Sequence, residues 1–273
     1  MPSAEIGVFG GSGFYSFVDG LAEHRVNTPY GPPSAPLSIG EVAGRSVAFI
    51  PRHGPHHEIP PHSINYRANL WAFAELGVRR VLAPAAAGSL QPHIHPGDVV
   101  VCDQLVDRTS GRPQTYYDGP LSVHVSWADP YCPELRAVAV EAVRAAEMNV
   151  HERGTVVVVQ GPRFSTRAES RHFQQQGWEV INMTQFPEAY LARELQMCYV
   201  NLSLITDYDV GVEGRPEIGA VTMEEALRVF AENIPRLRRA LLELIGRIPG
   251  ERACSCGDAL KGTPADPGSR TPS

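Results

Sequence analysis

Short apolar runs that end in small or polar residues recur along the chain. They are EIGVFGG near the start, then SVAFIPRHG, VRRVLAPAAAGS, PGDVVVCDQLVDRT, GTVVVVQ, WEVINMT and MCYVNLSLITDYD. Runs of this length, rich in Val and Ile and bounded by Gly, Pro or Asp, are typical of buried strands. The sequence therefore predicts a largely parallel or mixed β-sheet.

Helical patterns lie between several of these strands, in INYRANLWAFAELG, CPELRAVAVEAVRAAEM and PEAYLARELQ. The longest helix candidate begins near Thr222, where Glu225 completes a capping-box pattern three residues on. Pro235 is expected to kink or split this helix, because proline removes a backbone hydrogen bond. Strands that alternate with helices predict the α/β class.

Length and composition predict one globular domain followed by a tail. The chain has 273 residues, of which 43% are hydrophobic and 20% charged, as in ordinary globular proteins. We see no internal repeat and assign residues 1–250 to a single domain. Residues 251–273 are small, polar and rich in Gly, Pro and Ser, which predicts a flexible C-terminal tail.

Charge and hydropathy argue against several classes of protein. The net charge of −6 leaves no basic excess to neutralise the phosphates of a nucleic acid. No run approaches the roughly 18 consecutive apolar residues of a membrane span, and MPSAEIGVFGG lacks the basic and apolar regions of a secretory signal. We therefore expect a cytoplasmic protein that binds neither nucleic acid nor membrane.

The cysteines do not form a recognisable metal-binding motif. Cys102, Cys132 and Cys198 are scattered in apolar or half-apolar surroundings, which favours buried small hydrophobic side chains. Cys254 and Cys256 form a CxC pair, but no CxxC pair elsewhere completes a zinc site of usual spacing. The sequence predicts no metal site, and it leaves open whether the CxC pair forms a labile disulfide or two free thiols.

The segment PRHGPHHEIPPH, residues 51–62, places four histidines and an arginine directly after a predicted strand. A zincin helix requires HExxH, whereas His57 and His62 have the wrong spacing and the prolines between them exclude a regular helix. The turn GGSG likewise matches neither the GxSxG of a nucleophile elbow nor the GxGxxG of a dinucleotide site. We interpret His56, His57 and His62 as loop or interface residues.

Small and polar residues stand where the predicted strands end, at 10–13, 52–53, 86–89, 182–184 and 206–209. Ligands of open α/β folds gather beyond the carboxyl ends of the strands, so we expect these groups to converge.

An anion-binding site suits the groups in the first part of this set. Successive N–H groups of the glycine turn can form a nest for phosphate oxygens, and Ser12 adds a hydroxyl. Arg52 offers a planar fork that matches two phosphate oxygens, and His53 can donate a further hydrogen bond. Thr184 ends another strand and supplies one more hydroxyl.

Two carboxylates follow the last apolar run, in ITDYD. In strand geometry Asp207 and Asp209 face the same side. Two acids in an otherwise apolar pocket suit hydrogen bonds to a base with a ring nitrogen and an exocyclic amine. They also suit general acid catalysis, because burial raises a carboxyl pKa. A simple strand-end turn or a helix cap is the alternative interpretation.

A series of segments resembles the methylthioadenosine phosphorylase branch of the purine nucleoside phosphorylases. They are GVFGGSGFY, PRHG…PPHSINYRAN, AAGSL…PGDVV, DQLVDRT…RPQTYYDG, DPYCPELR, GTVVVVQGPRFSTRAE, VINMTQFPEAYLARE and ITDYD, over roughly residues 5 to 250. The resemblance implies a single α/β domain with a mixed twisted sheet flanked by helices, assembled as a homotrimer. It also implies phosphorolysis of 5'-methylthioadenosine by inorganic phosphate to adenine and 5-methylthioribose 1-phosphate, without a metal or organic cofactor.

The resemblance assigns roles at matching positions. The implied phosphate ligands are Ser12, Arg52, His53, Thr184 and the backbone at Ala85 and Ala86, where many relatives have a threonine in place of Ala85. The ribose is expected to lie along Met183. The purine is expected to bind Asp207 and Asp209 through N7 and its amino group, and the sequence does not fix how the two acids share these atoms. A protonated Asp207 could donate to N7 of the leaving base.

The 5' end of the substrate is expected to meet an apolar lining. Met223 and Leu227, four residues apart on one helix face, match the residues around the methylthio group. Phe164 and Ser165, from the segment GPRFST, are included among the substrate-binding residues. His124 matches a residue that reaches the neighbouring subunit's site. Residues 210–220 depart most from relatives.

Alternatives within and beyond this family stay open. A phosphorylase that prefers inosine, guanosine or methylthioinosine usually carries asparagine, or no second acid, in the ITDYD motif. A hydrolytic nucleosidase would have no use for a phosphate site. A non-catalytic protein that binds nucleoside or phosphate, with a metal-sensing role for the histidines and the CxC pair, is the alternative from another class.

Overall fold

The computed structural model describes residues 2–11, 20–211 and 218–266. Its strands are β1 (Ile6–Gly10), β2 (Ala22–His24), β3 (Leu37–Val42), β4 (Arg45–Pro51), β5 (Arg80–Ser89), β6 (Val99–Val100), β7 (Gln104–Arg108), β8 (Val150–His151), β9 (Thr155–Val159), β10 (Val180–Asn182) and β11 (Cys198–Asp207). Its α-helices are α1 (Tyr66–Glu75), α2 (Pro133–Ala145), α3 (Arg167–Gln175), α4 (Gln185–Glu194) and α5 (Met223–Arg247). Short 3-10 helices lie at Pro61–Ser63 and Ser255–Asp258.

The strands join into one mixed sheet centred on β5. This strand pairs in parallel with β1 on one side and with β11 on the other. Beyond β1 the parallel strand β4 follows, and β3 and β2 extend that edge as antiparallel strands. The far end of β5 pairs antiparallel with β10, next to which β9 and β7 run in parallel. The α/β fold with a mixed sheet, expected from the sequence, is confirmed.

Helices cover both faces of the sheet. On one face α1 and α4 contribute Phe73 and Leu191 to the core, and on the other α2 and α5 contribute Leu135 and Leu237. Strands β5 and β11 are buried along almost their whole length, which explains why their sequences are continuous apolar runs without alternation. Gly7 permits the close approach of α1, because a Cβ there would lie 2.9 Å from the Phe73 ring.

The predicted helices α1, α2, α4 and α5 are present. The Thr222 hydroxyl accepts the N–H of Glu225 at 3.2 Å, as the capping pattern predicts. The expected split at Pro235 does not occur, because α5 continues through it as one helix of 25 residues. Phe230 before the proline and Leu237 after it are both buried in the core. Helix α3 is not among the predicted elements, although Thr166 and Glu169 form a complete capping box that is visible in the sequence. Strands β2 and β3 are not among the predicted elements either. β2 has no buried position, whereas β3 buries Leu37, Ile39 and Val42.

The first part of the expected flexible tail is folded against the domain. Within residues 251–266 the 3-10 helix Ser255–Asp258 forms, and Cys256 and Leu260 are buried. The backbone N–H of Ala253 donates to Glu134 Oε2 at 2.7 Å. Residues 267–273 lie outside the described residues, so the tail prediction is untested there.

A buried ion pair joins β4 to α4. The Arg52 Nε and Nη2 atoms donate to the two carboxylate oxygens of Glu188 at 2.6 and 2.8 Å, and each side chain is 1% exposed. The hydroxyl of Tyr199 in β11 donates to the same carboxylate at 2.8 Å. Burial alone would lower the pKa of the Arg52 guanidinium, but the Glu188 carboxylate raises it above its ordinary value. Arg52 therefore stays charged in the interior.

We predict that Glu188→Gln destabilises the fold by roughly 3–5 kcal/mol, because it leaves the Arg52 charge buried without a counter-charge. The matched control is Glu243→Gln, which removes the exposed α5 pair of Glu243 with Arg247; its expected cost is below about 0.5 kcal/mol. Urea unfolding of both variants measures the difference. Equal small losses of stability would contradict the structural role of the pair.

Candidate active site

A cavity of about 450 Å³ opens at the carboxyl edge of the sheet, a size suited to a small-molecule ligand. The carboxyl ends of β1, β4, β5 and β11 share this edge because these strands are parallel. The end of β10 reaches the same place, because its antiparallel pairing sets Ile181 opposite Gly88. The expected convergence of the strand ends is therefore present.

Many of the sequence-predicted residues line this cavity. They are His53, Ala86, Phe164, Ser165, Met183, Asp207, Asp209, Met223 and Leu227. Arg52, Ala85 and Thr184 are buried beside lining residues and do not themselves form the wall. His124 is exposed on an irregular segment and does not line the cavity. Ser12 lies outside the described residues.

The expectation of a free bidentate fork on Arg52 requires correction. The edge formed by Nε and Nη2 is occupied by Glu188. The remaining nitrogen, Nη1, makes only long contacts of 3.5 and 3.4 Å with the carbonyls of Gly10 and Pro84. This nitrogen faces the glycine turn, since a Cβ on Gly11 would lie 3.7 Å from it. Only this corner of the guanidinium is available to an anion.

His53 is oriented as an acceptor toward the cavity, where the sequence predicted a donor. Its Nδ1 lies 2.9 Å from the carbonyl of Ile59, which can only accept, so Nδ1 holds the proton. Burial lowers the pKa of His53 to about 4, so the ring is neutral at pH 7 and Nε2 has a lone pair. The Nε2 atom of such a ring can accept a hydrogen bond from an O–H group of a ligand.

His57 contributes to the cavity, which the sequence interpretation excluded. It lines the wall and its ring stacks on His53 with centroids 4.6 Å apart. Its φ of 59° turns the loop so that the side chain faces inward. Sequence could not reveal this, because a positive φ on a non-glycine residue depends on the packing of the loop.

The Asp207 carboxylate is held by two donors. Its Oδ2 accepts from the Thr206 hydroxyl at 2.6 Å, and its Oδ1 accepts from the backbone N–H of Asp209 at 2.8 Å. Burial raises the pKa of Asp207 above its ordinary value, and these two hydrogen bonds partly oppose that rise. Both oxygens already accept a hydrogen bond, which favours the ionised form of this carboxyl group relative to one without donors.

Asp209 differs from Asp207 in its hydrogen bonding. Burial raises its pKa to about 6; the nearby Ser170 hydroxyl opposes this rise and the charge of Asp207 adds to it. Its Oδ2 is buried and has no hydrogen-bond partner within the described part of the chain. The hypothesis from sequence placed the proton on Asp207, whereas these contacts favour Asp209 as the acid that holds it.

The far end of the cavity is apolar. Phe164 is 38% and Met223 44% exposed, which is unusual for large hydrophobic side chains in this structure. Leu227 and Phe230 continue the same wall along α5. This end suits an apolar group of a ligand, because binding would remove exposed apolar surface from water.

Sequence reasoning did not assign two polar residues of this region. Asn182 lines the cavity, and neither atom of its buried side-chain amide has a hydrogen-bond partner among the residues described. Arg112, also buried, donates to the carbonyls of Met183, Phe186 and Gln160 at 3.0, 2.5 and 2.7 Å. The polar end of β10 was a usable signal for Asn182. Nothing local marks Arg112, whose partners are distant in sequence.

The mixed α/β fold and the cavity at the carboxyl ends of its strands indicate an enzyme of a known class. A family model described as the phosphorylase superfamily matches residues 5–246. The chain belongs to this superfamily, and the family expected from the sequence is confirmed. Among residues 2–11, 20–211 and 218–266, no helix has the length and apolar character that a membrane crossing requires.

Similar proteins extend over nearly the whole chain. A Streptomyces coelicolor protein named purine nucleoside phosphorylase is 56% identical, covering 98% of each chain. A Thermofilum pendens protein named S-methyl-5'-thioadenosine phosphorylase is 52% identical, over 95% of this chain and 98% of the relative. The solved structure of Schistosoma mansoni methylthioadenosine phosphorylase in complex with adenine superposes with a TM-score of 0.86 at 35% identity, over 92% and 93% of the two chains.

We predict that the stability of Asp209→Asn, measured relative to the wild type, increases as the pH rises. The raised pKa means that the folded wild type loses stability as the pH rises from about 4 through about 6. Asparagine does not ionise, so the stability difference should grow by up to about 3 kcal/mol between pH 4 and pH 8. Thermal melting of both proteins across this range measures it, and a difference that is constant with pH would contradict the assignment.

We also predict that Gly88→Ala lowers kcat/KM for phosphorolysis roughly 10- to 100-fold by displacing Asp207. A Cβ on Gly88 would lie 2.9 Å from Asp207 Oδ1 and 3.1 Å from Ile181 Cγ2. The matched control is Gly250→Ala, whose Cβ would meet nothing within 4 Å. Steady-state kinetics with the nucleoside as varied substrate compare the two. Equal activity would show that the Asp207 position tolerates the shift.

Proposed function

We propose that the chain catalyses the phosphorolysis of S-methyl-5'-thioadenosine to adenine and 5-methylthioribose 1-phosphate. The observation that carries the proposal is the pair Asp207 and Asp209, in one cavity with an apolar end. The protein is then a pentosyltransferase of purine and methionine salvage. Relatives bearing the name S-methyl-5'-thioadenosine phosphorylase, at 45 to 53% identity, support this substrate.

The two carboxyl groups provide one hydrogen-bond acceptor and one donor, which is the pair that a 6-aminopurine requires. An ionised Asp207 accepts from the exocyclic amine, and a protonated Asp209 donates to N7. The raised pKa of Asp209 and its unpartnered Oδ2 support this division. A 6-oxopurine presents acceptors at both O6 and N7, so it would require two donors from the same pair.

Phosphate is proposed to bind at the end of the cavity next to β1 and β4. Arg52 Nη1, the Thr184 hydroxyl, Ser12 and the backbone at Ala85 and Ala86 donate to its oxygens. Thr184 stands at the N-cap of α4 without a side-chain capping bond, which leaves its hydroxyl available. His53 Nε2 accepts from the remaining P–OH, consistent with its neutral ring.

The reaction follows from these positions. A phosphate oxygen attacks C1' of the ribose as the C1'–N9 bond breaks, and the electron pair of that bond passes to the purine. The proton of Asp209 moves to N7, which neutralises the leaving base; proton transfer of this kind typically contributes roughly 100- to 10,000-fold in rate. Phosphate also stabilises the positive charge that develops on the ribose, as in other glycoside cleavages.

The sugar and its 5' substituent are proposed to lie between Met183 and α5. Met183 follows the ribose, and Phe164 and Ser165 border the substrate near the purine. Met223 and Leu227 surround the methylthio group. Exposed apolar side chains at this wall support an apolar 5' substituent over a hydroxyl.

Assembly, location and cofactors extend the same proposal. We propose a homotrimer in the cytoplasm, in which His124 of each chain reaches a neighbouring site. The exposed position of His124 and the 41% exposure of nearby Leu121 are compatible with burial in such an interface. Inorganic phosphate is the co-substrate, and the reaction as written needs no organic cofactor.

A second candidate is a phosphorylase that prefers 6-oxopurine nucleosides. The 56% identical relative from Streptomyces coelicolor carries the name purine nucleoside phosphorylase. The pairing of an ionised Asp207 with a protonated Asp209 favours the 6-aminopurine.

The test is release of free base from S-methyl-5'-thioadenosine with and without phosphate, beside adenosine, inosine and methylthioinosine. We expect phosphate-dependent release of adenine from S-methyl-5'-thioadenosine. Adenosine, which lacks the methylthio group, should have a kcat/KM lower by roughly 10-fold or more, as a change of one small apolar group allows.

The other outcomes are equally informative. Faster reaction of inosine or methylthioinosine would establish the second candidate and overturn the role of the aspartate pair. Base release without phosphate would identify a hydrolase, and equal rates for adenosine would contradict the apolar 5' pocket.

A further inference from the structure

Four of the five cysteines meet at the edge of the sheet opposite the cavity. They are Cys132 at the N-cap of α2, Cys198 at the start of β11, and the CxC pair of Cys254 and Cys256. Their four sulfur atoms all lie within 4.8 Å of one another. The two cysteines that appeared scattered in sequence are therefore brought to the CxC pair by the fold.

The spacing of the sulfur atoms fits a tetrahedral metal. Thiolates at a Zn–S distance of about 2.3 Å stand about 3.8 Å apart at the corners of a tetrahedron. In the structure, the sulfur atoms of Cys198 and Cys254 are 3.3 Å apart, and no pair exceeds 4.8 Å. Shifts of about 1 Å or less would therefore give each sulfur its place around a central ion.

The surroundings resemble those of a closed structural site. Cys132, Cys198 and Cys256 are at most 2% exposed, and Cys254 is half-buried. Structural zinc sites have four protein ligands and no open position for water. The N-terminus of α2 also offers a donor to a thiolate, because the N–H of Leu135 donates to Cys132 Sγ at 3.4 Å.

We propose that Cys132, Cys198, Cys254 and Cys256 bind one Zn²⁺ ion that fastens the C-terminal segment 251–266 to α2 and β11. Binding converts four thiols to thiolates and releases their four protons to solvent. All five cysteines are thiols in the structure, so no oxidant is required. The proposal departs from the expectation from sequence that the chain has no metal site, which rested on the spacing of the cysteines along the chain.

The metal has a structural role. Cys198 begins β11 and Asp207 ends it, so the two sites are roughly 30 Å apart at about 3.3 Å per residue. The segment 251–266 is polar and buries few apolar side chains, with Cys256 and Leu260 as its buried hydrophobic residues. Coordination by two of its cysteines supplies free energy that this small apolar surface does not provide.

The first experiment measures metal content. The full chain is produced with added Zn²⁺, purified under reducing conditions, and freed of loosely bound metal by gel filtration. Zinc per chain is measured by inductively coupled plasma mass spectrometry, and thiols are counted in denaturant after chelation. We expect one zinc ion per chain together with five thiols.

Variants assign the ligands. The double variant Cys254→Ser, Cys256→Ser should bind at least roughly 10-fold less zinc. The matched control is Cys102→Ser, because Cys102 is also buried and belongs to no such cluster; it should keep its zinc. A chelator should lower the melting temperature of the wild type and of Cys102→Ser, and should leave that of the double variant unchanged.

Two results would overturn the proposal. Five thiols without zinc would show that the cluster is a group of free cysteines. Fewer than five thiols without zinc, in protein purified without reductant, would show that the same sulfurs form disulfides. Because both quantities are measured on the wild type, the conclusion does not depend on whether a variant folds.

Discussion

Arg52 and Glu188 face each other in the interior, with each side chain 1% exposed and two hydrogen bonds between them. Two charges removed from water are costly unless they are paired, so this contact fixes β4 against α4. Tyr199 extends it to β11 through the same carboxylate. The pair also decides which nitrogen of Arg52 is left over, because only Nη1 lacks a strong acceptor. The ion pair and the proposed phosphate site thus share one guanidinium.

In contrast to the fully paired charges of Arg52 and Glu188, several buried polar atoms near the cavity have no hydrogen-bond partner within the described residues. The buried polar atoms of Ser165, Ser170, Asn182 and Asp209 include several without partners in the described ranges. An unpaired buried polar group costs free energy, and a ligand or water that bonds to it removes that cost. The unpaired atoms of Asn182 and Asp209 lie in the cavity wall. This pattern agrees with a site built for a polar ring that binds and leaves.

Strand β11 connects two clusters of functional interest, one at each of its ends. Its last residue, Asp207, holds a carboxylate at the cavity, and its first, Cys198, lies in the cysteine cluster. The strand between them is buried almost throughout, and it packs between β5 and the helices of both faces. The proposed active site at one edge of the sheet and the proposed metal site at the other are therefore joined by one buried strand.

The sequence by itself determined the strands and helices of the core, because β5, β11, α1 and α2 have strong apolar patterns that local residues set. It also determined most of the residues at the cavity, since polar groups at the ends of parallel strands must meet at one edge. Only the tertiary structure decided how these groups are used: the occupied edge of Arg52, the acceptor nitrogen of His53 and the unpaired oxygen of Asp209. These depend on partners distant in sequence, such as Glu188, whose approach follows from packing. The cysteine cluster likewise depends on contacts distant in sequence, because packing brings Cys132 and Cys198 to the CxC pair.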